Sequence, residues 1–396
     1  MTNEREVVIV SGVRTAIGTY GGALKGFPAV ELAGRCVAEA VRRAGIKPDD
    51  VGHTVFGNVV HSEPRDAYMA RCAAILGGLP DSTPALSVNR LCGSGLQAIV
   101  SASQGILLGE TDCAVAGGAE NMSNAPYYMP NLRWGQRMGD GQAVDAVTAA
   151  LQDPFGNGHM GCTAENLAER YGIGREDQDL LAVESHQHAA SRAWEENRFG
   201  GQILPVEVRS RKGVKVFERD EHYRADATIE GMAKLRPVFQ KDGSVTAGNA
   251  SGINDAAAAV VLMESKAAEA KGVEPMARLV GYSYAGVDPK YMGIGPVPAV
   301  RDVMKKTGLS IADMDVIELN EAFAAQALAV IRELNLPMEK TNTCGSGISL
   351  GHPVGATGAI LAVKALYELQ RTGGRYGLIT MCIGGGQGNA VIIERI

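Results

Sequence analysis

Apolar positions in this chain fall into short runs separated by stretches where they recur every three or four residues. Runs at 7–10, 54–57 and 85–89 predict strands, and helical spacing at 28–44 and 66–76 predicts helices that pack by one face. A helix at 96–108 follows, then a run at 113–119 with no polar alternation, which predicts a strand covered on both faces. Between 121 and 251 the pattern changes: Pro, Tyr, Trp, Arg and Gly are mixed between short helical pieces at 164–170 and 177–194. From 278 the alternation returns, with strands at 279–284, 316–319, 377–381 and 390–394 and helices at 299–307, 324–333 and 355–369. The expected architecture is α/β, in two similar halves. Residues 1–120 with 252–272 form the first, 121–251 an inserted loop domain, and 273–396 the second. Such a repeat predicts a crevice where residues of both halves converge.

Composition narrows the partners. The chain has 396 residues, 45% of them hydrophobic and 21% charged, enough for a sizeable core and two or three domains. A net charge of −6 argues against a nucleic-acid partner, which would need a surplus of Lys and Arg. An anionic ligand must therefore meet a local basic patch, and residues 205–241 supply one, with nine Lys or Arg against six Asp or Glu. No run approaches the roughly 20 apolar residues of a membrane helix. The polar start at 1–5 leaves no room for a secretory signal, and the last residues, Glu394-Arg395-Ile396, are not a peroxisomal address, so a cytoplasmic protein is expected. Seven cysteines at 36, 72, 92, 113, 162, 344 and 382, with no Cys-x-x-Cys pair, predict reduced and mostly buried thiols. His186 and His188, two residues apart, do not share a helix face, and no metal site is expected.

Four segments carry candidate chemistry. Cys92 follows a strand and precedes Gly93-Ser94-Gly95 and a helix, a position where backbone N–H groups and the helix dipole are expected to lower a thiol pKa from about 8.5 toward neutrality. His352 sits in the Gly-rich turn Gly351-His352-Pro353-Val354-Gly355-Ala356-Thr357-Gly358, which suits a general base presented to a nucleophile on another segment. Cys382 ends a strand and is followed by Ile383-Gly384-Gly385-Gly386-Gln387-Gly388, whose exposed amides suit either a phosphate or an oxyanion. Asn320, in Asn320-Glu321-Ala322-Phe323, either caps a helix or holds a water toward developing negative charge.

These segments, in this order and over nearly the whole chain, resemble the thiolase family. The strings His159-Met160-Gly161 and Ala247-Gly248-Asn249-Ala250-Ser251-Gly252 resemble its biosynthetic, tetrameric branch. The resemblance implies a five-layered αβαβα fold and reversible Claisen condensation of two acyl-CoA molecules through an acyl-Cys intermediate. Acetyl-CoA or a slightly longer thioester is the implied substrate, and nothing beyond coenzyme A thioesters is needed as cofactor. It casts Cys92 as nucleophile, His352 as its proton acceptor and Cys382 as the base for the α-carbon. Asn320, through a water, and His352 form one oxyanion hole; the amides of Cys92 and Gly384 form the other. Leu151, His159, Met160, Arg224, Phe239, Ala247, Ser251, Met292 and Phe323 are the implied coenzyme A contacts, and the stretch 127–140 the implied tetramer contact. The chain departs from many thiolases at Cys344 and Ser346, which leaves the acyl-chain preference open and suggests either packing or a second thiol near the site. A ketoacyl synthase-like enzyme and a non-catalytic acyl-CoA or lipid carrier are the competing readings.

Overall fold

The computed structural model describes residues 5–211 and 213–396; the polar start at 1–4 and Lys212 of the basic segment lie outside the described residues. Nine strands form the spine: β1 Val7–Thr15, β2 His53–Gly57, β3 Ala85–Val88, β4 Cys113–Asn121, β5 Asn254–Glu264, β6 Ala277–Gly286, β7 Met314–Leu319, β8 Tyr376–Ile383 and β9 Gln387–Arg395. The first five lie in the order β3-β2-β4-β5-β1, with β3, β2 and β4 parallel and both β5 and β1 entering antiparallel. The last four repeat that scheme as β7-β8-β9-β6, parallel first and antiparallel after, and Thr341 bridges β7 in parallel where β3 stands in the first half. β1 meets β6 antiparallel at Val8–Arg278 and Ile9–Ala277, which joins the two sheets edge to edge.

The longer helices are α1 Ala29–Ala44, α2 Met69–Leu76, α3 Ser94–Leu107, α4 Met160–Tyr171, α5 Arg175–His188, α6 Pro296–Thr307, α7 Ala324–Leu334 and α8 Thr357–Thr372. Alternation along the strands sets the layers. Val8 and Val10 of β1 pack with α1 and α2, whereas Val7 and Ile9 pack with α3 and α8 between the sheets. In the second half Val316 faces the same central helices, and Ile317 turns to α6 and α7. The result is five layers, helix and sheet in alternation. No helix among the described residues is long and apolar enough to cross a membrane.

Strand β5 was not legible in the apolar pattern. Its run Asp255-Ala256-Ala257-Ala258-Ala259 has weak strand propensity, yet every residue from Asn254 to Glu264 is buried between β1 and β4. Small side chains suit a strand that helices cover on both faces. Three predicted helices also shift: 66–76 opens as a tight turn, Pro64–Tyr68, before α2; 177–194 loosens into a wider helix at Ala189–Glu195; and 355–369 begins at Thr357.

Candidate active site

The two central helices bring the predicted chemistry together. Their N-termini touch backbone to backbone: a Cβ at Gly95 would lie 2.7 Å from the Ala359 nitrogen, and one at Gly358 would lie 2.4 Å from that of Leu96. Only glycine allows this approach, and it sets the turn before α3, with Cys92, beside the turn before α8, with His352.

Cys92 stands on a strained turn. Leu91 has φ +45°, a left-handed conformation costing a branched residue roughly 1–2 kcal/mol. Ser94 braces it: its Oγ accepts from the Arg90 N–H at 2.9 Å and donates to the Leu91 carbonyl at 2.7 Å. The backbone N–H groups of Gly384 and of Cys92 itself face the sulfur. The expected depression toward neutrality is not what results. Burial outweighs the two amides and pushes the thiol up to about 11, so the resting group is a neutral thiol.

His352 is buried, and burial lowers its pKa to about 4. Its tautomer follows from its partners. The Thr357 hydroxyl donates to the Pro353 carbonyl at 2.9 Å, so it receives a hydrogen bond from His352 Nδ1–H at 2.7 Å. Nε2 is then the basic nitrogen, 3.4 Å from Asn320 Nδ2. Asn320 does not cap α7, since Phe323 holds that place, and its buried Oδ1 has no partner among the described residues. An unpaired buried carbonyl beside the imidazole suits a bound water.

Cys382 is the last residue but one of β8 and is 1% exposed; burial raises its pKa, and the neighbouring Cys92 raises it further. Cys92, His352, Cys382 and Gly384 all line one cavity of about 370 Å³. Its walls also include Leu151, His159, Met160, Phe239, Ala247, Ser251, Met292 and Phe323, eight of the nine predicted contacts. His159 stacks on Phe239 with ring centroids 4.7 Å apart, and Phe239 meets Phe323 edge-on at 6.1 Å. Because His159 Nδ1 accepts the Gly161 N–H at 3.1 Å, its ring proton sits on Nε2. Aromatic and aliphatic side chains thus share the lining of this cavity with two thiols and an imidazole.

Comparison with known proteins decides the family. The profile for the thiolase N-terminal domain matches residues 7–266, and that for the thiolase C-terminal domain matches 273–395. The chain belongs to the thiolase family. It is 62% identical over 393 residues to the beta-ketothiolase BktB of Cupriavidus necator, covering 99% of this chain and 100% of that protein. The acetyl-CoA acetyltransferase of Bacillus anthracis superposes with a TM-score of 0.97 at 49% identity, over 99% of each chain. Human mitochondrial 3-ketoacyl-CoA thiolase in complex with CoA superposes at 0.96 with 43% identity, over 99% of this chain and 98% of that one.

In this thiolase Arg224 stands apart from the other predicted contacts. It is exposed and lines a second cavity, of about 380 Å³, with His186, His222 and Asp226; the two cavities meet at Ala247. Cys344 is 4% exposed in an apolar cluster with Ile17, Phe199 and Leu350, so packing is its role. Ser346 supports the neighbouring turn: its hydroxyl donates to the Leu319 carbonyl at 2.9 Å, one residue before Asn320. Thr357, which fixes the imidazole tautomer, escaped the sequence reading although it lies in the same Gly-rich string.

Proposed function

We propose that this thiolase joins two short acyl-CoA molecules at carbon, acetyl-CoA with acetyl-CoA giving acetoacetyl-CoA and CoA, and runs the reverse thiolysis by the same steps. What supports the assignment of roles is the convergence of two thiols and an imidazole of fixed tautomer on one cavity, with the Gly384 N–H facing the Cys92 sulfur.

The Cys92 sulfur attacks the thioester carbonyl as its proton passes to His352 Nε2. The tetrahedral oxygen takes the N–H groups of Cys92 and Gly384, a pair whose loss of one donor should lower the rate about 10²- to 10³-fold. CoA departs as thiolate and takes the Cys382 proton, which leaves Cys382 as a base and His352 as imidazolium. Cys382 then removes an α-proton from the second acetyl-CoA. The enolate oxygen is held by His352 and by a water on Asn320, and its carbon attacks acetyl-Cys92. As the product forms, the Cys92 sulfur recovers its proton from His352, and Cys382 retains the one it removed, so both thiols are restored. The substrates are themselves the coenzyme A thioesters, and no further cofactor enters.

The pantetheine arm fits the channel of His159, Phe239 and Phe323, and the nucleotide end passes Ala247 toward Arg224 in the second cavity. Beside Cys92 a side chamber of about 20 Å³ is lined by Val59, Val60, Leu91 and Ala150. That is room for about one further carbon, which extends the acyl donor to propionyl size. The reading includes a homotetramer, supported by the apolar faces of Tyr127, Leu132, Trp134 and Met138 in the stretch 127–140, where Trp134 is 88% exposed. Seven free cysteines suit a reducing compartment such as the cytoplasm.

Intact-protein mass spectrometry after brief exposure to acetyl-CoA tests the assignment. Wild type should gain one acetyl group and Cys92→Ala none. Cys382→Ser should keep the adduct while condensation falls about 10²- to 10⁴-fold. A wild type that binds CoA without any adduct would instead be a carrier.

A further inference from the structure

His352 belongs to the second half of the chain, yet the turn that carries it is fastened mainly from the first. Glu120, near the end of β4, is fully buried, and its two oxygens accept four hydrogen bonds. Oε1 takes the Val60 N–H and Asn58 Nδ2 at 3.0 Å each; Oε2 takes the Val59 N–H at 3.1 Å and the Gly355 N–H at 2.8 Å. On the adjacent strand, Asn254 opens β5, where its Oδ1 accepts the His352 N–H at 3.0 Å and its Nδ2 donates to the Gly18 carbonyl at 3.0 Å. The turn is pressed against these groups. A Cβ at Gly355 would sit 2.5 Å from Glu120 Oε2, and Gly351, at φ +105°, would bring one to 2.4 Å from Asn254 Cγ. Neither Glu120 nor Asn254 lines the cavity.

We infer that Glu120 and Asn254 are positioning residues that hold the His352 turn in register with Cys92. The inference rests on the acyl-Cys reading above. Asn254 fixes the turn at His352 and Glu120 fixes it three residues later, so a segment of the second half is held to strands β4 and β5 of the half that carries Cys92. Thr357 orients the imidazole ring, and the two side chains place its backbone. All four neighbours are donors, and they favour the carboxylate at 120 against the burial that raises its pKa to about 8. An amide there would set its own N–H groups against two of them, and the turn would have to shift. A displacement of about 1 Å between nucleophile and base is enough to cost about 10²-fold in rate.

The test is a double-mutant cycle on the single-turnover rate of acetyl-Cys92 formation at saturating acetyl-CoA, read by mass spectrometry. Glu120→Gln in the wild-type background should slow acylation about 10- to 100-fold with the KM for acetyl-CoA changed less than about threefold. In a His352→Ala background the same substitution should change the rate less than about threefold, because the group through which Glu120 acts is gone. Equal losses in both backgrounds, or no loss in the first, would overturn the inference. Should Glu120→Gln fail to fold, Asn254→Ala enters the same cycle with the same expectation. A wild type that never acquires the acetyl group would sink the acyl-Cys reading itself, an outcome distinct from either.

Discussion

Residues 92–95 and 344–347 carry the same four letters, Cys-Gly-Ser-Gly, at equivalent places in the two halves. The first follows β3; the second follows Thr341, which bridges β7 as β3 pairs with β2. Each leads to the helix that lies between the sheets, α3 or α8. The paths differ in length. After Cys92 the helix begins at Ser94, and Cys92 lines the cavity. After Cys344 a short helix, Gly347–Leu350, and the His352 turn intervene before α8 starts at Thr357. Cys344 sinks into the core, and the inserted turn brings His352 to the cavity instead. Burial pushes both thiols up to about 11, so ionisation does not separate them. Access does: one opens on a cavity with amides aimed at its sulfur, whereas the other packs against Phe199 and Leu350.

The largest effect expected of that contrast lies in activity. Cys92→Ser should lower condensation roughly 10⁴-fold or more, the scale of losing a covalent nucleophile, while Cys344→Ser stays within about threefold. Comparable losses in steady-state assays of the two variants would erase the distinction. The next concerns pH. With Cys92 held near 11 and His352 near 4, the resting pair is neutral between those values. Iodoacetamide labelling of Cys92, followed by mass spectrometry, should therefore climb about tenfold per pH unit from pH 7 to 10. A plateau below pH 8 would show a thiolate already stabilised by the helix terminus or by imidazolium. The smallest concerns packing. Cys344→Ala should lower stability by about 1 kcal/mol in thermal unfolding, with no change in the acetyl adduct.

Much of the fold was legible because buried strands and one-faced helices write different periods into the chain, and because the second half repeats the first. The site was legible where chemistry demands rare arrangements: a Cys before Gly-Ser-Gly, a His in a Gly-rich turn, a Cys ahead of three glycines. The Ala-rich strand β5 was hidden, since alanine signals a helix when read locally and its burial depends on β1 and β4. Glu120 directly follows the apolar run 113–119, and only the structure shows that the strand continues through it to Asn121 and is buried throughout. Arg224 matched by string alone and stands outside the cavity of Cys92.

The sequence by itself determined the layered α/β plan, the two thiols, the imidazole and the turns that present them, because each depends on residues near one another along the chain. The tertiary structure decided what those groups are at rest. Burial overrode the helix terminus and kept Cys92 neutral, Thr357 chose the imidazole tautomer, and Glu120 and Asn254, 235 and 98 residues from their partners, tied the His352 turn to the half that carries Cys92. Ionisation and alignment at this site depend on contacts between distant segments, and only the assembled fold creates them.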